Sequence, residues 1–472
     1  MPTNTIKTFT LFLLLHLSLF VNAQDSLKTL SIDQFLNIVR TFHPIVKQSA
    51  FNVLIAKNEV TTARSNFDPI ASGYASRKTF DGINYYDHSL AELKLPTWFG
   101  IEVYTGFENL TGNRNSPEQT LGRVNYTGIS IPLAKDLLMD KRRAILQQAK
   151  VLNQMSYQEQ RLMINDLIKN AMDAYWNWVK AFQTYTVLNQ NVTINEKRFD
   201  LIKKSFVNGE RAAIDTVEAL VQLQEMQLRQ NVSLLQFQNT SLELSNYIWQ
   251  NNDTPFLLPR DIVPQDGWDN NDIFNSNNIN LNSLLDLAQV THPELQLYKS
   301  KLVVLDIEKQ YKFQSLLPKI NLMYNHLGKG YGYNFSEAGQ QFLTNNFKYG
   351  IKFELPLRLS QGRGDYKIAK LKINNNRLEQ SQKQLQIEVK IKSYFNDFMA
   401  LQNQVVLQNN HYNNCIKLLR AEESRLLNGE SSLFVINARE NKAFDSFEKL
   451  IDLKTKYFKT FYNLQWSAGA LK

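Results

Sequence analysis

The chain has 472 residues, a formal net charge of +9 and one cysteine, Cys415. Its Lys and Arg are interspersed with Asp and Glu along helical patterns, which describes solvated helix faces and argues against a nucleic-acid partner. A single thiol excludes an internal disulfide, so packing alone must stabilise the fold.

The first 23 residues carry Lys7, an apolar run from Phe9 to Val21 and the small-x-small end Val21-Asn22-Ala23, the pattern of a secretory signal peptide. The mature chain is then expected to begin at Gln24. The apolar run of about 13 residues falls short of the ~20 that a spanning helix needs. No later run reaches that length, so any membrane crossing must be made by strands. No Cys follows the signal region, which leaves a lipid-anchored N-terminus without an attachment site.

Residues 27–66 read as amphipathic helix containing His43-Pro44, with Pro69 after its end. The β region at 68–133 follows. In it Leu93, Leu95, Phe99, Ile101, Val103 and Phe107 are expected on one face, with Glu92, Lys94 and Glu102 on the other. Weaker strands are expected over Ile70–Arg77 and Val124–Leu133. A long helix spans residues 136–207, where Ile164, Ile168, Ala171, Tyr175, Trp178, Phe182 and Tyr185 follow coiled-coil steps of four and three. The turn Asn208-Gly209-Glu210 leads into a helix over 211–250. Residues 251–280, rich in Asn, Asp and Pro, read as an irregular connector.

The same order then recurs. Residues 281–316 form a helical stretch with His292-Pro293, followed by Pro318 and a β-hairpin at 319–357. One strand alternates Ile320, Leu322 and Tyr324 with Asn321 and Asn325, and runs on to Gly328, Gly330 and Gly332. The other alternates Phe347, Tyr349, Ile351, Phe353 and Leu355 with Lys348, Lys352 and Glu354, a pattern suited to a wall between lipid and water. A long helix over 364–427 carries the seam Ile387, Ile391, Tyr394, Phe398, Leu401 and Val405, continuing through Gln408, Tyr412 and Cys415 to Leu419. Cys415 is therefore expected to be a packed residue. Asn428-Gly429-Glu430 turns the chain into a last helix over 431–472.

These correspondences mark a duplication. The two His-Pro pairs and the two strand-entry prolines lie 249 residues apart, whereas the Asn-Gly-Glu turns lie 220 apart. Pro132 and Pro356, which close the strand regions, lie 224 apart, and the drop from 249 to 224 places about 25 extra residues between Pro69 and Pro132, for an added hairpin or loop to absorb. The expected division is 1–23 signal peptide, 24–250 first repeat, 251–280 connector and 281–472 second repeat. At 1.5 Å per residue the long helices reach about 105 and about 95 Å, and in each repeat two shorter helices of about 55–60 Å laid end to end match one long one. That matching suits the wall of a helical tube. About four spanning strands per chain are too few for a closed barrel of at least ~8, so oligomerisation is expected.

With those features together, the chain resembles the TolC-like outer membrane efflux protein family over essentially all of its mature length. The resemblance implies a mainly α protein with a transmembrane β-barrel portion, built on a duplicated helix, β-hairpin and long-helix protomer. It implies a homotrimer that closes a twelve-stranded barrel in outer membrane lipid above a periplasmic α-helical barrel. It also implies passive export for a tripartite efflux or type I secretion system. The connector would lie in the equatorial belt, and Asn208, Gly209, Glu210, Asn428, Gly429 and Glu430 would form the periplasmic tip. There they would meet an adaptor protein and an inner-membrane transporter that supplies the energy. Some members narrow their entrance with acids six and nine positions after the second tip glycine. Here those positions are Val435 and Ala438, whereas Asp215 and Glu218 follow Gly209 at that spacing and are the possible entrance acids.

His43, His88, His292, His326 and His411 are scattered, and no His-Glu-x-x-His, Gly-x-Ser-x-Gly or phosphate-loop motif is present. No enzyme activity, cofactor or metal site is expected. The competing expectation is a structural coiled-coil protein of the envelope without transport activity.

Overall fold

The computed structural model describes residues 29–113, 119–268, 279–331 and 346–471. The expected signal segment, connector residues 269–278 and the Gly332 end of the second hairpin lie outside the described residues.

In chain order the elements begin with β1 (Thr29–Leu30), α1 (Ile32–Phe42), α2 (Pro44–Arg64), β2 (Ile70–Phe80), β3 (Ile83–Pro96), β4 (Glu102–Thr111), β5 (Gly122–Pro132), α3 (Lys141–Val207) and α4 (Ala213–Ser245). The short strand β6 (Trp249–Gln250) precedes the connector, in which β7 (Thr254–Pro255) and β8 (Val263–Pro264) lie. The second half supplies α5 (Leu281–Thr291), α6 (Pro293–Phe313), β9 (Lys319–Lys329), β10 (Phe347–Glu354), α7 (Ser360–Leu427) and α8 (Leu433–Ser467). Corresponding helices have nearly equal lengths, with α1 and α5 at 11 residues, α2 and α6 at 21, α3 and α7 at 67 and 68, and α4 and α8 at 33 and 35.

The stretches expected as single helices over 27–66 and 281–316 are each broken at the His-Pro pair. A proline ring clashes with an α conformation in the residue before it, so His43 (ψ 133°) and His292 (ψ 123°) are extended. Proline is well tolerated at a first helical position, where its missing N–H has no intrahelical partner, and Pro44 and Pro293 restart the chain as α2 and α6.

Packing divides the chain into two units, each of which draws on both halves of the sequence. One comprises Met1–His43, Ile168–Ile279 and Asp397–Tyr462; the other comprises Pro44–Leu167, Asn280–Asn396 and Asn463–Lys472.

The second unit holds one six-stranded antiparallel sheet in the order β10-β9-β5-β4-β3-β2. The sequence suggested about four spanning strands, and the two further ones come from the first repeat, where the extra residues form an added hairpin. The alternating run from Leu93 to Phe107, expected to share one face, falls on two strands. Pro96 cannot donate to a ladder and Gly100 takes a left-handed φ of 83°, so the chain turns over Thr97–Gly100. The Thr97 N–H donates to the Ile101 carbonyl at 2.9 Å, and Trp98 stacks on Phe67 at 4.3 Å between centroids. Leu95 and Val103 still share a face, because the turn makes them direct cross-strand partners. Phe99 leaves the set and lies exposed in the turn.

The first unit is helical around an aromatic core. The α3 seam is buried through Ile168, Ala171, Tyr175 and Trp178, and the Trp178 Nε1–H donates to Ser241 Oγ of α4 at 3.0 Å. Phe35 of α1 stacks on Tyr175 at 5.3 Å. Phe398 of α7 stacks on Tyr457 of α8 at 4.7 Å, and Cys415 is buried on the same seam. The connector is partly ordered here: β6 pairs with β7, β8 runs parallel to β1, and Trp268 lies 5.8 Å from both Trp176 and Phe458, themselves stacked at 4.4 Å.

Candidate functional site

Three parts of the molecule place polar chemistry where packing alone does not require it. The first is one face of the sheet. Following cross-strand partners, the row Leu95, Val103, Ile129, Tyr324, Tyr349 and the row Ile131, Leu322, Ile351 carry only apolar and aromatic side chains. The opposite face carries Glu92, Lys94, Glu102, Tyr104, Glu108, Tyr126, Asn325, Lys348 and Lys352. Its groups are linked to one another. Lys94 pairs with Glu102 at 2.7 Å, Arg142 of α3 reaches the same carboxylate at 3.0 Å, and His88 contacts Glu108 at 2.8 Å. The Tyr126 hydroxyl donates to Glu92 across Gly106, and the Tyr104 hydroxyl donates to Asn325 Oδ1 at 2.5 Å across Gly128. Gly106 pairs with Tyr126 and Gly128 with Tyr104, so each tyrosine lies over the glycine opposite it.

At the helix end of this face a polar recess of about 410 Å³ is lined by Glu102, Lys135, Asp136, Asp140, Arg142 and Lys319, among others. Asp140 caps α3, accepting the Arg143 N–H at 2.8 Å. Burial raises the Asp136 carboxyl above its ordinary pKa, opposed by the cations of Lys135, Lys319 and Arg143.

The second part is the pair of helix-to-helix turns, both in the first unit. Gly209 and Gly429 have φ of 78° and 76°. The Gly209 N–H donates to Phe206 O and the Glu210 N–H to Ser205 O, both at 2.9 Å. In the other turn the Gly429 N–H donates to Leu426 O at 3.1 Å and the Glu430 N–H to Arg425 O at 2.9 Å. Both are Schellman endings, in which a left-handed residue closes off the orphan carbonyls of the helix; glycine is favoured there because it has no Cβ to crowd the backbone. Asn208, Glu210, Asn428 and Glu430 are exposed. Asp215 pairs with Arg211 at 3.7 Å and Glu218 is half-buried. The turns pack as one end, since Leu433 at the start of α8 is buried against Ile202 of α3 and Ala219 of α4.

The third part was missed in the sequence. Glu440 of α8 is only 4% exposed and accepts from Arg198 Nη1 at 2.9 Å, from Asn195 Nδ2 at 3.2 Å and from Gln222 Nε2 at 3.2 Å. Arg198 also lies 3.8 Å from Glu423 of α7, so this cluster ties all four helices of the two hairpins. The signal was available: Leu433, Ile436, Glu440, Ala443 and Leu450 follow coiled-coil spacing, and Glu440 is a carboxylate at a position that spacing assigns to the core.

The chain aligns with solved structures over nearly its full length. A membrane protein from Pseudomonas aeruginosa superimposes with a TM-score of 0.68 at 13% identity, covering 92% of each chain. This chain has the TolC-like fold. The Campylobacter jejuni CmeC outer membrane channel aligns at a TM-score of 0.63 and 13% identity, over 93% of this chain and 85% of that one. The open state of the Neisseria gonorrhoeae MtrE outer membrane channel aligns at 0.62 and 12% identity, over 93% and 89%. Neither a family model nor a curated protein gives a significant sequence match. At such identities only the TolC-like architecture is shared. Among the described residues no helix is long and apolar enough to cross a membrane, and no cluster of three or more His, Cys, Asp or Glu could hold a metal ion.

Proposed function

We propose that this chain is a subunit of an outer membrane channel for passive export, with a separate inner-membrane transporter supplying the energy. The observation that carries this reading is the two-faced sheet. One side has apolar and aromatic rows and the other an internally hydrogen-bonded polar surface, which suits a wall between lipid and an aqueous bore. A soluble sheet with the same alternation would need a covering layer over Tyr349, Ile351 and Phe353, all of which are exposed.

Exposed heptads support assembly from several copies. On α4, Ile214, Val221, Leu228, Leu235 and Leu242 recur every seven residues and are all exposed, an unpartnered coiled-coil stripe along a helix whose other face is already packed. A homotrimer with a helical barrel in the periplasm would cover it. In this reading the turns at Asn208-Gly209-Glu210 and Asn428-Gly429-Glu430 form the tip that meets the adaptor protein, with Asp215 and Glu218 near the entrance. The division into signal peptide 1–23, repeats 24–250 and 281–472, and connector 251–280 completes the proposal.

Fractionation and conductance test it. The mature protein should stay with outer membranes through salt and alkaline washing, and should open ion-conducting pores in planar bilayers once the tip hairpins are loosened. Release by alkaline washing would favour the structural coiled-coil alternative.

A further inference from the structure

We infer that all six strands of the sheet enter the closed barrel, so that β10 of one copy pairs with β2 of the next and a trimer closes eighteen strands. This rests on the membrane-channel reading above and adds the strand number and the two edges that join.

The register is continuous across the sheet. Ala71, Leu93, Thr105, Thr127, His326 and Phe347 are successive partners on β2, β3, β4, β5, β9 and β10. The added strand β3 is also bound through the polar face. Lys94 pairs with Glu102 of β4, and Glu92 accepts from Tyr126 of β5, one strand beyond its neighbour. A β2–β3 hairpin standing apart from the barrel would break both links.

The two outer edges are complementary. Six is an even number, so β2 and β10 run in opposite directions, and a head-to-tail ring brings them together antiparallel. Their side chains also match in size over most of their length. The lipid-facing row of β10 is Phe347, Tyr349, Ile351 and Phe353, whereas the same face of β2 offers Ala71, Gly73 and Ala75 before Arg77. Large rings over small residues is the arrangement already seen inside the sheet at Tyr126 over Gly106 and Tyr104 over Gly128. The occupant of each edge is therefore a second copy of this chain. Barrel diameter grows roughly linearly with strand number, so eighteen strands enclose a bore about one and a half times as wide as twelve.

Cysteine cross-linking of the full oligomer in membranes tests the edges. In a Cys415→Ser background, Ser72→Cys on β2 is combined in turn with Lys348→Cys, Gly350→Cys and Lys352→Cys on β10, all facing the polar side. At least one combination should give disulfide-linked multimers. The same β10 series combined with Glu108→Cys on β4 should give none. Multimers from the Glu108 series instead would mean that each copy contributes four strands, and would overturn the inference. Cryo-electron microscopy of the unmodified oligomer in detergent decides independently. Eighteen strands uphold the inference; twelve strands in an intact transmembrane trimer would overturn it while leaving the channel reading in place; a soluble protein without a barrel would sink both.

Discussion

Tyr126 donates its hydroxyl proton to Glu92 Oε2 at 2.8 Å, passing over Gly106 of the strand between them. The contact exists because Gly106 has no side chain. A Cβ there would meet the Ala91 carbonyl oxygen at 2.5 Å and the Tyr126 hydroxyl at 2.7 Å. Gly106→Val should therefore destabilise the sheet by about 1–3 kcal/mol through overpacking, in addition to breaking the hydrogen bond. The readout is the temperature at which the purified oligomer dissociates in SDS, which should fall. Gly364→Ala on α7 is the control, since a Cβ there meets nothing within 4 Å, and it should not lower that temperature.

Glu440 supplies a second test, in the helical unit. A charge this deeply buried is stabilised by Arg198, Asn195 and Gln222, and removing one partner strands the other. Arg198→Ala should cost about 3–5 kcal/mol, while replacing Arg198 and Glu440 together by Met and Leu should cost far less or nothing. Chemical denaturation followed by tryptophan fluorescence reports mainly on this unit, because Trp176, Trp178, Trp249 and Trp268 lie in it, against Trp98 and Trp466 in the other. Equal losses in the single and double variants would contradict the assignment.

The turns are predicted to respond to backbone conformation rather than to crowding. A Cβ at Gly209 or Gly429 meets nothing within 4 Å, so only the left-handed φ opposes substitution. Val at either position should cost about 1–2 kcal/mol, and Asn, which visits that region more readily, should cost less. Assembly should survive in every case. On the proposed function, Gly209→Val and Gly429→Val should impair adaptor binding or export, as measured by pull-down and efflux; full activity in both would count against the tip assignment.

Much of this architecture was legible because long helices and strands of opposite periodicity leave different marks. The seams through Tyr175, Trp178 and Phe398 and the alternation of Phe347–Glu354 each identified a buried stripe or a two-faced strand. The turn glycines were legible for the same reason, since an Asn-Gly-Glu end repeated in both halves marks a conformation that other residues adopt at a cost. Less legible were the places where two local rules compete. The apolar alternation from Leu93 to Phe107 runs straight through a turn, because Leu95 and Val103 share a face on either side of it. Only Pro96 and Gly100 signal the reversal. The His-Pro breaks were visible as residues, but helical periodicity on both sides hid the interruption. The Arg198–Glu440 pairing joins helices 242 residues apart in sequence, a distance across which spacing gives no register.

The same His-Pro breaks carry a pH prediction. Burial depresses the pKa of both His43 and His292 below 6.5; a hydrogen bond donated by the His43 ring to the Asn246 backbone opposes the shift at His43, and Glu294 opposes it at His292. The unfolded chain then binds more protons than the folded one below pH 6.5. The stability contributed by the neutral imidazoles is complete above that pH and is lost as pH falls toward the folded-state values. Thermal melting should drop between pH 7.5 and 5, and His43→Gln with His292→Gln should shrink that drop. An unchanged pH dependence in the double variant would refute the role.

The central claim is that the rows through Tyr349 and Ile351 face lipid while Lys348 and Lys352 face water. Single cysteines at the adjacent positions 351 and 352, in a Cys415→Ser background and reconstituted membranes, test it most directly. A fluorophore on Ile351→Cys should be quenched by bilayer-embedded quenchers and not by aqueous iodide, and one on Lys352→Cys should show the reverse. Equal quenching of both positions by iodide would contradict a membrane-spanning sheet.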